Sequence, residues 1–76
     1  MLGDIYSLIN VEDYVLFGCQ NGVLGIYNLK NNKIKIQEHS HSDDIICLKY
    51  IKDESFCSGS HDNSIKIWKL NNNLMN

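Results

Sequence analysis

Ser58, His41 and Asp62 are the residue types of a nucleophilic triad. A serine hydroxyl attacks a carbonyl carbon when an imidazole takes its proton and a carboxylate orients the ring. Such a serine must face a substrate, with oxyanion donors in reach. Ser58 instead falls within a predicted strand, so a hydrolase is carried only as an alternative and no catalytic residue is assigned. A second chemistry would be metal binding, with His39, His41 and His61 beside Cys19, Cys47 or Cys57. Zinc needs four nitrogen or sulfur ligands converging tetrahedrally, and no Cys-x-x-Cys pair or helical spacing gathers them here. The cysteines read as small core residues within strands, and neither a metal nor a cofactor is expected.

The elements that must position these side chains are strands. Short runs of β-branched and aromatic residues alternate with polar ones, separated by Asn, Gly, Asp and Ser, and helix signals are missing. The runs are 5–9, 14–19, 23–28 and 33–37, then 44–50, 55–60 and 64–70. Glu12-Asp13, Lys30-Asn31-Asn32 and Lys52-Asp53-Glu54 mark turns. Asn21-Gly22 reads as a two-residue hairpin turn tolerant of positive φ, and Asp62-Asn63 as its later counterpart. The class expected is all-β, built from antiparallel sheets.

The chain also repeats itself. Gly59 lies 41 positions after Gly18, and the same offset matches Asp62 to Asn21, Ile65 to Leu24, Ile67 to Ile26, Trp68 to Tyr27 and Leu70 to Leu29. A period of about 40 to 45 residues made of short strands marks a propeller blade, a unit that cannot bury its faces alone.

In the second copy, Ser40-His41, then Asp44-Ile45-Ile46-Cys47-Leu48, then Ser58-Gly59-Ser60-His61-Asp62-Asn63, then Ile65-Lys66-Ile67-Trp68-Lys69 follow one another. This order resembles the WD40 repeat family, with departures at Ser40 for Gly, Asn63 for Gly and Lys69 for Asp. The first copy keeps the strand rhythm, Gly18 and the Asn21-Gly22 turn, with Tyr27 at the Trp position. The resemblance implies antiparallel four-stranded blades of a partial β-propeller, about two in number. Residues 1–37 would be the first blade and 38–76 the second, lacking most of its outer strand, to which 71–76 could contribute only a start.

The resemblance further implies a structural tetrad of His41, Ser58, Asp62 and Trp68. A Trp packed between blades needs a partner for its indole N–H, and Ser can accept that bond while donating to an imidazole. The other ring nitrogen can then donate to a carboxylate. In the first copy the matching positions hold Phe17, Asn21 and Tyr27, and apolar packing of Phe17 and Tyr27 is expected instead. Tyr6 and Tyr50 also read as packing. Loops of a rigid scaffold are where partners bind, and the family's geometry would cluster Gln20, Asn21, His39, Ser42, Asp43 and His61 on one face as a candidate partner-binding surface.

Composition narrows the partners. The formal charge is −2, with seven lysines and no arginine, which offers no basic field for a phosphate backbone. No stretch approaches the roughly 18 apolar residues of a membrane span, and the N-terminus lacks the basic and apolar regions of a signal peptide. Three cysteines, an odd number, do not make a disulfide scaffold. The expectation is a cytosolic or nuclear protein with protein partners, and neither a small-molecule substrate nor a membrane. Further blades, in cis in a longer chain or by self-association, count among those partners. The function implied is a non-enzymatic interaction scaffold of a multiprotein complex, with short first turns resembling those of ubiquitin-ligase adaptors. The alternative is a truncated propeller fragment without independent activity.

Overall fold

Seven strands form where the alternating runs lie: β1 Ile5–Val11, β2 Tyr14–Cys19, β3 Leu24–Asn28, β4 Lys33–Gln37, β5 Ile45–Lys52, β6 Ser55–Ser60 and β7 Ile65–Lys69. The computed structural model describes residues 3–70. Each strand pairs antiparallel with its sequence neighbour, giving one sheet ordered β1-β2-β3-β4 and another ordered β5-β6-β7. The start of a further strand expected within 71–76 lies outside the described residues. None of the helices among the described residues is long and apolar enough to cross a membrane.

Strand ends differ from the alternation at places where turn geometry decides. Glu12 and Asp53 adopt positive φ (53° and 51°), confining the reversals to Glu12-Asp13 and Asp53-Glu54 and letting β1 and β5 run on to Val11 and Lys52. The Asn21-Gly22 turn is wider than two residues. The Cys19 N–H bonds the Val23 carbonyl at 2.9 Å around a 3-10 turn of Gln20–Gly22, so β3 starts at Leu24. The second sheet repeats this loop, with the Ser60 N–H on the Ser64 carbonyl at 3.2 Å. Asn63 (φ 70°) stands where Gly22 (φ 78°) does.

Register explains why the repeat is not uniform. Leu8 faces Phe17 and Leu48 faces Ser58, so the two first strands are offset by 40 positions. The partners of Tyr50 and Lys52 are Phe56 and Ser55, which leaves Ile51 as one extra, bulged residue. Beyond it the offset is 41, as Val11 opposite Tyr14 and Lys52 opposite Ser55 require. A bulge inserts one unpaired residue and bends its strand. Both sheets also shift register next to Ile5 and Ile45, leaving Tyr6 and Ile46 unpaired and exposed. Tyr6 and Tyr50, expected to pack, are 45% and 48% exposed.

The sheets stack face to face. Val11, Leu16, Leu24 and Ile26 of the first sheet meet Ile45, Leu48, Phe56, Trp68 and Leu70, with Ile9 and Tyr14 packed at the edge. Fully burying one such aliphatic side chain contributes about 1.5–3 kcal/mol, and Phe56 stacks on Trp68 with ring centroids 6.4 Å apart. The inner strands are tied by the Leu48 N–H donating to Ser7 Oγ at 2.9 Å. On the other face of the first sheet Phe17 lies flat over Gly25, whose missing Cβ would sit 2.1 Å from the ring. Tyr27 is half-buried on that face and donates its hydroxyl to Asn32 Oδ1 at 3.0 Å.

Candidate functional site

His41 stands in the link between β4 and β5, Ser58 in the middle of β6, Asp62 in the β6–β7 loop and Trp68 on β7. Antiparallel pairing puts Phe56 opposite Trp68 and Ser58 opposite Lys66 and Leu48, so Ser58 and Trp68 share the face turned to the first sheet. The structure brings the four together. Trp68 Nε1–H donates to Ser58 Oγ at 2.8 Å, Ser58 Oγ lies 2.7 Å from His41 Nε2, and His41 Nδ1 lies 2.9 Å from Asp62 Oδ2. One proton arrangement satisfies every atom: Ser58 O–H donates to Nε2, and Nδ1–H donates to the carboxylate.

Burial decides what this chain of bonds can do. Ser58 has no exposed surface and its hydroxyl is held from both sides by ring nitrogens. The His41 side chain is likewise fully enclosed. Two open grooves on the first sheet are lined by other residues. A nucleophile needs an approach path and oxyanion donors, whereas this hydroxyl is a strut between two rings.

Asp62 anchors the far end. Ser64 donates both its hydroxyl and its N–H to Oδ1, and the Ser42 N–H reaches Oδ2 at 3.1 Å. The Ser64 hydroxyl bond, with those from His41 and the Ser42 and Ser64 N–H groups, outweighs burial and holds this carboxyl well below the usual carboxylate range. Ser64 was not singled out from the sequence. The Asp-x-Ser spacing of an Asx turn was the signal that could have found it.

The loop bearing His41 is fastened to the first sheet. The Gly22 carbonyl accepts from the Ser40 and His41 N–H groups at 3.1 and 3.3 Å. A Cβ on Gly22 would lie 1.8 Å from the His41 carbonyl oxygen, so no other residue fits there. Lys66 Nζ closes the other side by donating to the Ser40 carbonyl at 2.7 Å. The Asn21-Gly22 turn is thus the seat of the network residue in the next sheet.

The polar residues proposed for partner contact are distributed around the same end. The Asn21 N–H bonds Asp44 Oδ1 at 2.8 Å and the His61 N–H bonds the Asp44 carbonyl at 3.0 Å. Ser60 Oγ donates to the Asp43 carbonyl at 3.1 Å, and the Gln20 N–H to the Asp4 carbonyl at 2.9 Å. Asn21, Ser42, Asp43 and His61 therefore belong to one hydrogen-bonded loop cluster, while Gln20 is tied to Asp4. His39 is exposed at positive φ (62°) in the turn after β4, and among the described residues no hydrogen bond engages its ring. Partial burial, with Asp44 and Asp4 nearby, raises the Tyr6 phenol above its ordinary value.

The cysteines do not all lie in the core. Cys19 is buried, and burial pushes its thiol up, while Cys57 is half-buried and Cys47 exposed. Cys47 and Cys57 fall on the outer face of the second sheet, which no third sheet covers among the described residues. No group of three or more His, Cys, Asp or Glu residues is gathered as a metal-ligand set among the described residues.

The family profile described as "WD domain, G-beta repeat" matches residues 31–69. That span takes the last strand of the first sheet and all of the second, so the matched unit straddles the two sheets. The ribosome biogenesis protein YTM1 of Vanderwaltozyma polyspora is 34% identical over 71 residues, which cover 91% of this chain and 16% of that protein. The protein of the same name in Kluyveromyces lactis is 30% identical over 68 residues, 90% of this chain and 15% of its own length. Cell division control protein 4 of Saccharomyces cerevisiae is 27% identical over 67 residues, 87% of this chain and 9% of its own length. The chain spans less than a fifth of the length of each of these relatives.

Proposed function

Because the chain belongs to the WD40 repeat family, we propose that it is a non-enzymatic scaffold element that presents a polar loop surface to protein partners in a multiprotein assembly. Residues 1–37 and 38–76 are taken as its two blades. The observation that carries the reading is the enclosure of Ser58, whose hydroxyl is fully buried and bonded to His41 and Trp68. His41, Ser58, Asp62 and Trp68 then act as a structural tetrad that fastens the β4–β5 loop to β6 and β7. Gln20, Asn21, Ser42, Asp43, His61 and the outlying His39 form the contact surface, in the cytosol or nucleus.

Two of the three relatives carry ribosome biogenesis in their names, and this favours an assembly of that kind for the protein that contains these blades. The narrower reading as a ubiquitin-ligase adaptor has the two-residue turns Glu12-Asp13 and Asp53-Glu54 in its support.

The test has two arms. A serine-directed fluorophosphonate should leave Ser58 unlabelled in the folded protein, and stoichiometric labelling there would overturn the scaffold reading. In the second arm, affinity purification from cells should recover a defined set of proteins, and His61→Glu with Ser42→Lys should lose them while leaving the melting curve in place. Retention of every partner by that variant would remove the loop surface from the proposal. Sedimentation with ribosomal precursors, against co-purification with ubiquitin-ligase subunits, separates the two settings.

A further inference from the structure

The first sheet has its four strands, and its last strand leaves one side of its backbone unused. β4 pairs with β3 and with no other strand among the described residues. The ladder fixes which backbone groups face outward. The Cys19 N–H bonds the Val23 carbonyl, so that pair closes the β2–β3 loop. Alternation along an antiparallel ladder then turns Gly25 and Tyr27 to β2, and Leu24, Ile26 and Asn28 to β4. Their partners Gln37, Lys35 and Lys33 face back to β3, and the N–H and C=O groups of Ile34 and Ile36 point away from the sheet. Among the described residues no hydrogen bond outside the strand pairing engages those groups.

The same edge is charged on one face. Lys33 and Lys35 stand opposite Asn28 and Ile26, and Asn28 stands opposite Tyr14, so these side chains share a face of the sheet. With Asn31 and Ile34 they line an open groove of about 320 Å³. Both lysines are exposed, and neither meets a carboxylate: the ion pairs among the described residues join Lys30 to Asp13 and His41 to Asp62. A chain of formal charge −2 thus keeps two unpaired cations side by side on an open strand edge.

Lysine on an edge strand guards against pairing with a like edge, and here it does so selectively. If two β4 edges meet antiparallel, the registers that pair Ile34 with Ile34 or with Ile36 set Lys35 against Lys33 or against itself. Like charges directly opposite destabilise a strand pair, whereas opposite charges stabilise it. Lys35 would also sit in a non-hydrogen-bonded pair with the added strand, where facing side chains are closest. The edge that rejects its own copy therefore accepts a strand with carboxylates at alternate positions.

We propose that the β4 edge docks an extended acidic segment of a partner protein, added antiparallel as a further strand, with carboxylates at alternate positions over Lys33 and Lys35. Main-chain bonds to Ile34 and Ile36 supply the attachment, and the lysines select the segment. The stems of the acidic side chains lie over the groove beside Tyr14 and Ile26. This edge is separate from the loop cluster assigned to partners above, so either reading can fail without the other.

The probe is a short peptide of alternating Thr and Glu, acetylated and amidated, titrated into the chain and followed by amide NMR. Shifts should concentrate at residues 33–37, and solvent exchange of the Ile34 and Ile36 amides should slow. Lys33→Glu with Lys35→Glu should weaken binding about tenfold, because two attractive pairs become repulsive. The same variant should take up the matching peptide of alternating Thr and Lys, which the parent rejects. Lys33→Gln with Lys35→Gln repeats the loss should the charge-reversed variant unfold. A Glu peptide N-methylated on the groups that face β4 keeps its charges but loses its donors, and it should not bind. Equal binding of the methylated peptide overturns strand addition in favour of a diffuse charge effect. Shifts confined to the loops of Asn21, Ser42 and His61, or an affinity unmoved by charge reversal, overturn the site, and the absence of any shift at millimolar peptide overturns the proposal outright.

Discussion

The Gly22 carbonyl accepts the His41 N–H at 3.3 Å, and the space of a Gly22 Cβ is filled by the His41 carbonyl oxygen 1.8 Å away. A turn in one sheet thereby holds the imidazole that organises the next. The stability of the second sheet depends on a residue that is not in it.

Gly22→Ala should accordingly weaken the whole chain. Positive φ (78°) alone costs a non-glycine residue about 1–3 kcal/mol, and the clash with backbone adds displacement of the His41 loop. Urea unfolding should show a midpoint lowered by more than about 2 kcal/mol equivalent with the slope unchanged. A loss below 0.5 kcal/mol, typical of a surface substitution, would show that the loop is not seated as described.

Ser58→Ala tests the strut. It strands the Trp68 Nε1–H and His41 Nε2 in a buried layer, where each unpaired group costs about 1–3 kcal/mol. A destabilisation of roughly 2 kcal/mol or more is expected from chemical denaturation. Ser42→Ala, with its side chain exposed and only its N–H engaged, should stay within about 0.5 kcal/mol of the parent.

Asp62→Ala should shift the unfolding midpoint further than Asn21→Ala, although the two occupy matching loops. The Asp62 carboxylate receives His41, Ser42 and two donors from Ser64, whereas Asn21 contributes its backbone N–H to Asp44. What Asn21→Ala loses is chiefly tolerance of positive φ (64°), worth about 1 kcal/mol. Equal shifts at the two sites would contradict the network.

Acid should unpick the same carboxylate. Its pKa in the folded state lies below the ordinary value of 3.8, so the unfolded chain takes up the proton first and stability rises with pH. The contribution is complete above about pH 4 and is lost as pH falls below that, towards the folded-state value. Denaturation midpoints measured from neutral pH downwards should drop in this window, and Asp62→Asn should flatten that part of the profile while lowering the plateau at neutral pH. A parallel profile for the two proteins would assign the acid sensitivity elsewhere.

Most of the secondary structure was legible from alternation, because seven short runs of β-branched and aromatic residues separated by Asn, Gly and Asp leave few other options. The four residues of the buried network were legible through the resemblance to the WD40 repeat, which implies Trp68, Ser58, His41 and Asp62 together. Three features were not. The bulge at Ile51 looks in sequence like one more apolar residue of a strand, and only the pairing of Tyr50 and Lys52 with Phe56 and Ser55 exposes it. Ser64 looked like the start of a strand, yet its hydroxyl and N–H complete the Asp62 shell. Cys47 and Cys57 had the residue type of a core and lie on an outer face.

By itself the sequence determined the strands, their local pairing and the repeat. These follow from short-range rules: side chains alternate along a strand, and turns need residues that tolerate positive φ. The tertiary structure alone decided which face of each sheet is covered. In both sheets the two faces carry apolar residues, so alternation cannot say which is inside, and Leu48 and Ile65 are separated from Leu8 and Leu24 only by the presence or absence of a neighbouring sheet. Burial is a property of what stands opposite, and residues 40 positions apart in the chain settle it.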